Sequence, residues 1–311
     1  MNRSVKTLLA VLGLGLTLAG AVQAQTTLRV GSQKGALKVL LEASGQLQDL
    51  PYTIDFASFA SAPPVAEALR AEAIDVGALG EAPFIFAVAA QAPIKTVAVI
   101  KLQVTATMVA LVVRQDSPLK TTADLKGQRI TTTRGSIGHF LALAVLRQAG
   151  LHGTDAQFIF LQPGESRVLL ANGGADVWAT WDPYTSMARL QDQTRVLASG
   201  EKLFAGNVLI VASQQAIDEK TEAVRDLLGR IDRAYQWANH HVDAYAERLA
   251  ASTGLPVEFH RVSTLESRPQ RIAIDATVID QLQHSADLYR DEGIIRQGID
   301  ASAHYDTRFD H

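Results

Sequence analysis

Four short segments carry glycine and polar residues at points where a strand-like pattern stops and a helical pattern begins. They are Gly31-Ser32-Gln33-Lys34-Gly35, Gly80-Glu81-Ala82-Pro83, Arg134-Gly135-Ser136 and Trp181-Asp182-Pro183-Tyr184. In open α/β sheets, ligands bind at this edge, beyond the carboxyl ends of the strands. A helix N-terminus offers unpaired N–H groups and a partial positive charge, so these corners favour the binding of an anion.

The corner at Arg134-Gly135-Ser136 combines a flexible backbone with a donor. Gly135 lets the backbone approach a ligand closely, and Ser136 adds a hydroxyl group. A simple N-cap of the helix over residues 137–148 explains Ser136 equally well, and the two roles can coexist. Arg134 supplies charge nearby, although a solvated side chain is the simpler interpretation.

The other three corners offer further candidates. Gln33 has no evident core role at a strand end, so it is a candidate ligand contact. Glu81 is a poor direct partner for an anion and is better interpreted as a helix cap or as a group that orients a donor. Asp182 could cap the next helix or orient a donor, and the phenol of Tyr184 could reach an anion or close over a ligand. Trp178 and Trp181 lie three apart, so a strand would place them on opposite faces, which favours Trp178 for the core and Trp181 for a cleft.

Catalytic, metal and cofactor motifs are not found in the sequence. Ser136, His139 and Asp182 suggest a triad, but Gly-x-Ser-x-Gly requires glycine where Arg134 stands. His139 follows Ser136 by three residues on the same predicted helix, which makes it a neighbour on the helix face. The adjacent pair at residues 240–241 has no HExxH context, and the glycines at residues 31–35 form neither a dinucleotide fingerprint nor a P-loop. We therefore expect no catalysis, no metal and no cofactor.

Predicted strands and helices alternate along most of the chain, which indicates an α/β protein. Ser61 is positioned to cap a helix that begins at two prolines. The β-rich run Val104 to Pro118 is long enough to cross between two lobes, and the chain is mostly helical from Asp218 onward. A length of 311 residues is consistent with two domains.

Composition limits the class of protein. Apolar residues make up 47% and charged residues 20%, with a net charge of −3 and no basic cluster, so we expect no nucleic-acid partner. Residues 1–24 read as a signal peptide: a basic start, an apolar run and a small-residue site for cleavage after Ala24. The chain has no cysteine, hence no disulfide and no lipid-bearing cysteine, and we expect a free protein in the periplasm.

Five stretches resemble one family in order and spacing: "RVGSQKGALKVL", "PPVAEALRAEAIDVGALGEAPFIFAVAAQAP", "DSPLKTTADLKGQRI", "RGSIGHFLALAVLRQAGL" and "ADVWATWDPYTS". The family is the periplasmic solute-binding proteins of nitrate, sulfonate and taurine ABC importers, and the resemblance is greatest to its aliphatic-sulfonate-binding members. It covers residues 27–299 and is weakest after residue 254.

The resemblance implies a type II periplasmic-binding fold of two lobes, each a mixed sheet flanked by helices, which close on a ligand in the cleft between them. It implies a first lobe of residues 25–104 and 213–311 and a second lobe of residues 105–212. The ligand contacts that it implies are Gln33, Ser61, Glu81, Ala82, Gly135, Ser136, His139, Trp181, Asp182 and Tyr184. Arg268 matches the family's C-terminal arginine only loosely.

The implied function is capture of an organosulfonate by a monomer and its delivery to a permease and ATPase. Two departures leave the ligand open: Ala82 and Phe84 replace the family's common threonine and proline, and residues 137–138 replace a common Asn-Val. The alternatives are taurine, nitrate, an aromatic sulfonate or a sulfate ester, and Glu81 or Asp182 could meet the ammonium of taurine. Two alternatives belong to other classes of protein. One is an enzyme on the same fold, of the kind that forms the pyrimidine precursor of thiamine, and the other is a ligand-sensing subunit that docks a membrane receptor.

Overall fold

The computed structural model describes residues 25–310 and arranges them as two mixed β-sheets flanked by helices. The predicted signal peptide, residues 1–24, lies outside these residues. The α/β class and the mixed sheets agree with the prediction from sequence. None of the helices in residues 25–310 has both the length and the apolar character to cross a membrane.

Eleven strands are present in the described part of the chain. They are β1 (Thr27–Gln33), β2 (Thr53–Phe59), β3 (Val76–Gly80), β4 (Ile94–Lys101), β5 (Val109–Arg114), β6 (Arg129–Thr132), β7 (Gln157–Phe160), β8 (Val177–Trp181), β9 (Thr194–Ser199), β10 (Asn207–Ser213) and β11 (Gln270–Ile272). The first sheet has the order β11-β4-β10-β3-β1-β2, and the second has the order β7-β6-β8-β5-β9.

The α-helices of residues 25–310 cover both sheets and form most of the C-terminal third. They are α1 (Ala36–Ala43), α2 (Ala62–Arg70), α3 (Glu81–Ala89), α4 (Ile137–Gln148), α5 (Pro163–Ala171), α6 (Tyr184–Gln191), α7 (Gln214–Glu219), α8 (Thr221–His240), α9 (Val242–Thr253), α10 (Val257–Ser267) and α11 (Ala276–Asp291). Short 3₁₀ helices cover Thr122–Leu125, Gly153–Asp155, Ala301–His304 and Thr307–Phe309.

Parallel pairing brings the four polar corners to the carboxyl edges of the sheets. In the first sheet β1 pairs in parallel with β2 and β3, so the turns after these strands lie side by side. In the second sheet β6 pairs in parallel with β8, which does the same for the turns that precede α4 and α6. The corners predicted from sequence therefore sit where an α/β fold places a ligand.

Apolar packing holds each sheet between its helices and also joins the two sheets at α4. Phe140 and Leu143 of α4 belong to the same buried cluster as Phe84 of α3 and Tyr289 of α11, although α4 covers the second sheet. The Phe140 and Tyr289 rings meet edge to face, 5.4 Å apart. This cluster fixes the start of α4 relative to the first sheet.

The chain crosses from the first sheet to the second between β4 and β5, and it returns between β9 and β10. Residues 102–108 make the first crossing, and the β-rich run Val104 to Pro118 forms a strand only over Val109–Arg114. The predicted lobe boundary after Ala212 falls within β10. That strand pairs with β3 and β4 of the first sheet from Asn207 onward. We therefore propose that the second lobe ends before Asn207.

Candidate ligand-binding site

A cavity of about 390 Å³ lies between the two sheets, where their carboxyl edges face each other. The ends of β1, β3 and β8 and the start of α4 contribute Gln33, Gly80, Trp181 and Ser136 to its lining. Most of the remaining wall is apolar. An apolar cavity with a few converging polar groups is the usual form of a site for a small molecule.

Several helices begin at this cavity. Ala36, Ala62 and Ile137, the first residues of α1, α2 and α4, line it, as do Gly80 and Pro183 at the N-termini of α3 and α6. The first N–H groups of a helix have no partner within the helix and carry its partial positive charge. Their convergence makes the cavity favourable for an anion.

Ser136 caps α4 and also lines the cavity. Its Oγ accepts a hydrogen bond from the backbone N–H of His139 at 3.2 Å, which confirms the N-cap of α4. The capping bond does not use the Ser136 hydroxyl proton, which has a long contact of 3.4 Å to Oγ1 of Thr132. Gly135 adopts φ +72°, and a Cβ there would lie 3.2 Å from the Phe86 ring, so this glycine shapes the turn from behind the cavity lining.

The two tryptophans occupy the environments that strand alternation predicts. Trp178 is enclosed in the core of the second sheet, whereas Trp181 lines the cavity. The Nε1 of Trp181 donates to Oε1 of Gln33 at 3.0 Å, which joins the end of β8 to the end of β1 in the other sheet. The amide N–H groups of Gln33 remain as donors at the cavity wall.

Asp182 caps a helix and lines the cavity at once. One carboxylate oxygen accepts from the backbone N–H of Ser186 at 3.1 Å and from its hydroxyl at 2.8 Å. Burial raises the pKa of the Asp182 carboxyl to about 6, against the opposing effect of these hydrogen bonds and of Arg189. The wall therefore carries a carboxyl group that is poised to change charge near neutral pH.

Ser61 and Tyr184 join the two sheets and do not face the cavity. The Ser61 hydroxyl donates to Oε1 of Gln162 at 2.9 Å, and the Tyr184 hydroxyl donates to the carbonyl of Ala60 at 2.6 Å. The expectation that the Ser61 side chain caps α2 is wrong, because its hydroxyl reaches across to the second sheet instead. With the bond between Trp181 and Gln33, these contacts join the two sides of the cleft.

Glu81 and Ala82 line a smaller cavity of about 80 Å³ that adjoins the first. The Glu81 carboxylate accepts hydrogen bonds from Nδ2 of Asn207 at 2.9 Å and from the hydroxyl of Ser285 at 3.3 Å. Burial raises the pKa of Glu81. Glu81 therefore lies beside the main cavity and is not part of its lining. This agrees with the expectation that a carboxylate is a poor direct partner for an anionic ligand.

His139 stands behind the cavity wall, which corrects the expectation that it lines the cleft. It is 1% exposed, and its ring packs against those of Phe86, Phe158 and Phe160. Its Nδ1 accepts a long hydrogen bond, 3.4 Å, from the backbone N–H of Gly135, and burial lowers its pKa to about 4.

One wall of the cavity, formed by α8 to α10, was not predicted from the sequence. Helices α8 to α10 contribute a set of aromatic, aliphatic, hydroxyl and imidazole side chains, namely Tyr235, Leu249, Ser252, Thr253, Phe259, His260, Ser263 and Ser267. These residues are far along the chain from the strand-end corners and show no motif of their own. Arg268, the loosely matched family arginine, is exposed and absent from this lining. Residues 25–310 contain no cluster of three or more side chains suited to holding a metal ion.

Gly138 sets how closely α4 approaches the second sheet. A Cβ at this position would lie 2.7 Å from the Thr132 hydroxyl and closer still to the carbonyl oxygen of Ala179. We expect Gly138→Ala to lower the free energy of unfolding by about 1–3 kcal/mol, as overpacking does. Chemical denaturation measures this, with Gly164→Ala as the matched control.

Gly164 is also the second residue of a helix, and nothing lies within 4 Å of a Cβ built there. The control should leave the free energy of unfolding unchanged or slightly raise it. Equal effects of the two substitutions would mean that close packing of α4 on the sheet does not require glycine.

Comparison with known proteins places these features in context. A family model described as the periplasmic substrate-binding protein of a phosphonate ABC transporter matches residues 47–247. A protein of Escherichia coli (strain K12) named for the binding of aliphatic sulfonates is 34% identical over 300 residues, which cover 94% of this chain and 93% of that protein.

Two solved structures share the fold over nearly their whole length. The alkanesulfonate-binding protein SsuA from Xanthomonas axonopodis pv. citri, bound to MOPS, superposes with a TM-score of 0.83 at 28% identity and covers 90% of this chain and 98% of its own. The periplasmic aliphatic sulphonate binding protein SsuA from Escherichia coli gives a TM-score of 0.78 at 31% identity, over 91% of this chain and 98% of its own.

Proposed function

Because this chain belongs to the family of periplasmic substrate-binding proteins of ABC importers, we propose that it captures organic sulfonates in the cavity between its two sheets. It then delivers them to a membrane permease that is driven by an ATPase. The observation that carries this proposal is the convergence of helix N-termini on one largely apolar cavity. Such a site suits a ligand with one anionic end and one apolar end.

The charge of the cavity favours a monoanion. Lys34 is the only lysine or arginine among the lining residues of the described chain, and Asp182 opposes it. A sulfonate carries a single charge at every physiological pH, so neutral donors and helix N-termini suffice to bind it. A phosphonate takes up a second charge near neutral pH, and this cavity supplies little to balance it. We therefore favour a sulfonate over a phosphonate.

We propose that the protein binds its ligand without transforming it. Ser136 would need a base to act as a nucleophile, and His139 cannot serve because its ring accepts from Gly135 behind the wall. Asp182 uses one oxygen to cap α6. In this proposal, Ser136 and Gln33 donate hydrogen bonds to the ligand, and Trp181 lines the part of the cavity that holds its tail. Ser61 and Tyr184 join the two sheets across the cleft. Glu81, Ala82, Gly135 and His139 act behind or beside the ligand.

The family to which the chain belongs implies a periplasmic location, and we propose that export ends with cleavage after Ala24. The lobes would be residues 25–104 with the chain from Asn207 onward, and residues 105–206. We expect a monomer in solution. Mass spectrometry of the exported protein would test the cleavage site directly.

Calorimetric titration tests the proposed function. The panel contains ethanesulfonate, longer alkanesulfonates, an aromatic sulfonate, taurine, nitrate, sulfate and an alkylphosphonate. Saturable binding of sulfonates, with weaker binding of nitrate, sulfate and the phosphonate, is the expected outcome. Tight binding of the phosphonate with none of the sulfonates would refute the assignment.

The charge of Asp182 predicts how affinity depends on pH. With a pKa of about 6, its carboxyl gains negative charge as the pH rises from 5 to 7.5, which opposes an anion in the same cavity. Affinity for an alkanesulfonate should therefore fall by about threefold to tenfold over this range. The sulfonate does not titrate, and burial holds the pKa of His260 at about 4, below the range.

Asp182→Asn is the matched control, since its amide oxygen can still accept from Ser186. It should remove most of the slope and leave only what Glu81, whose pKa burial also raises, contributes from the adjoining cavity. A slope that is unchanged in Asp182→Asn would show that this carboxyl does not sense the ligand. The same raised pKa makes Asp182 lower the stability of the fold as the pH rises from about 4 to about 6, and its contribution is constant at higher pH.

A further inference from the structure

His260 forms the polar centre of the wall opposite the strand-end corners. It lies on α10, is 5% exposed and lines the main cavity. Its neighbours in the wall include Phe259 and Ser263 from the same helix. Sequence motifs assign it no role, and the anion corner does not include it.

The hydrogen bonds of Thr253 fix which ring nitrogen of His260 carries the proton. The Oγ1 of Thr253 lies 2.6 Å from Nε2 of His260 and 2.8 Å from the carbonyl oxygen of Leu249. The threonine has one hydroxyl proton, and two oxygens 2.8 Å apart repel each other unless that proton lies between them. Thr253 therefore donates to Leu249 and accepts from Nε2–H of His260.

This arrangement leaves Nδ1 of a neutral imidazole with a free lone pair. Among residues 25–310, no group donates to Nδ1, and this nitrogen is not among the side-chain atoms that are fully sealed without a partner. Burial lowers the pKa of the ring to about 4, which keeps it neutral at physiological pH. Nδ1 is then an unpaired hydrogen-bond acceptor on a side chain that lines the cavity.

We propose that His260 accepts a hydrogen bond from the end of the ligand opposite the sulfonate. The protein therefore prefers sulfonates whose tails end in a hydrogen-bond donor, such as a hydroxyl or a protonated amine. The inference rests on the proposed function and deepens it. A cavity of about 390 Å³ has room for a tail that spans from the helix N-termini to α10. A plain alkyl end would leave Nδ1 desolvated and unpaired, which weakens binding.

The test compares matched pairs of ligands on the purified protein. Each pair consists of an alkanesulfonate and the isosteric chain that ends in hydroxyl instead of methyl, such as pentanesulfonate and 4-hydroxybutanesulfonate, over a series of lengths. For the length that fits, the preference for the hydroxyl chain should drop by about tenfold or more in His260→Leu. His260→Asn keeps an acceptor near the position of Nδ1 and should retain most of the preference.

His284→Leu is the control, because His284 is exposed on α11 and does not line the cavity. It should change neither affinity. A second readout requires no ligand: NMR of ¹⁵N-labelled imidazoles should show the Nε2–H tautomer for His260. An Nδ1–H tautomer, or a preference that His260→Leu leaves unchanged at every chain length, would overturn the inference alone. Failure of every sulfonate to bind would overturn the proposed function and this inference with it.

Discussion

Replacing Ser136 with aspartate is expected to lower the affinity for sulfonates by at least about a hundredfold and to leave the protein folded. Aspartate is as good an N-cap as serine, so the start of α4 should persist. The new carboxylate, however, would occupy the corner where the helix N-termini meet and would repel the ligand, which amounts to several kcal/mol at short range in a partly buried site. Calorimetry on the purified variant measures the loss.

Ser213→Asp provides the matched control for this substitution. Ser213 is also a buried serine that caps a helix, accepting from the backbone N–H of Ala216 at 3.1 Å, but it does not line the cavity. The affinity of the Ser213→Asp variant for sulfonates should equal that of the original protein. Unchanged affinity in Ser136→Asp would mean that the anion binds elsewhere and that Ser136 is a cap alone.

Trp181→Ala is expected to act on both stability and ligand choice. Trp181 is 8% exposed, meets the Tyr184 ring edge to face and bonds to Gln33. Removal of such a side chain should lower the free energy of unfolding by about 3–5 kcal/mol. Because the indole also lines the cavity, affinity should fall more for sulfonates with bulky tails than for ethanesulfonate.

Trp181→Phe separates the two contributions. It retains an aromatic surface but loses the Nε1 donor to Gln33, so affinity for bulky tails should be largely preserved while stability falls by about 1 kcal/mol. Equal losses across all tail lengths in Trp181→Ala would place this side chain outside the tail pocket.

The strand-end corners could be predicted because the rule behind them is local. Residues at the carboxyl ends of parallel strands lie at one edge of their sheet, which holds for β1 and β3 in the first sheet and for β6 and β8 in the second. The opposite faces of Trp178 and Trp181 follow from strand alternation in the same way. The type and order of most strands and helices could therefore be predicted from the sequence.

The rest of the site depends on packing between distant segments. Nothing near Ser61 in sequence indicates that its hydroxyl bonds to Gln162 rather than to its own helix. The approach of α10 to the cavity depends on how α8 and α9 cover the first sheet. No pattern close to His260 in the sequence therefore predicts that this residue lines the cavity. His139 faces inward because aromatic rings from several elements surround it. Such contacts become visible only in three dimensions.

The most direct test of the central claim is a crystal structure of the protein grown with an alkanesulfonate. The ligand sulfur, located by its anomalous signal, should lie at the corner formed by Ser136 and the first turn of α4, with its oxygens within hydrogen-bonding distance of these donors. The tail should extend along Trp181 toward α10. A sulfonate bound outside this cavity, or bound with its tail at the helix N-termini and its charge at α10, would contradict the account.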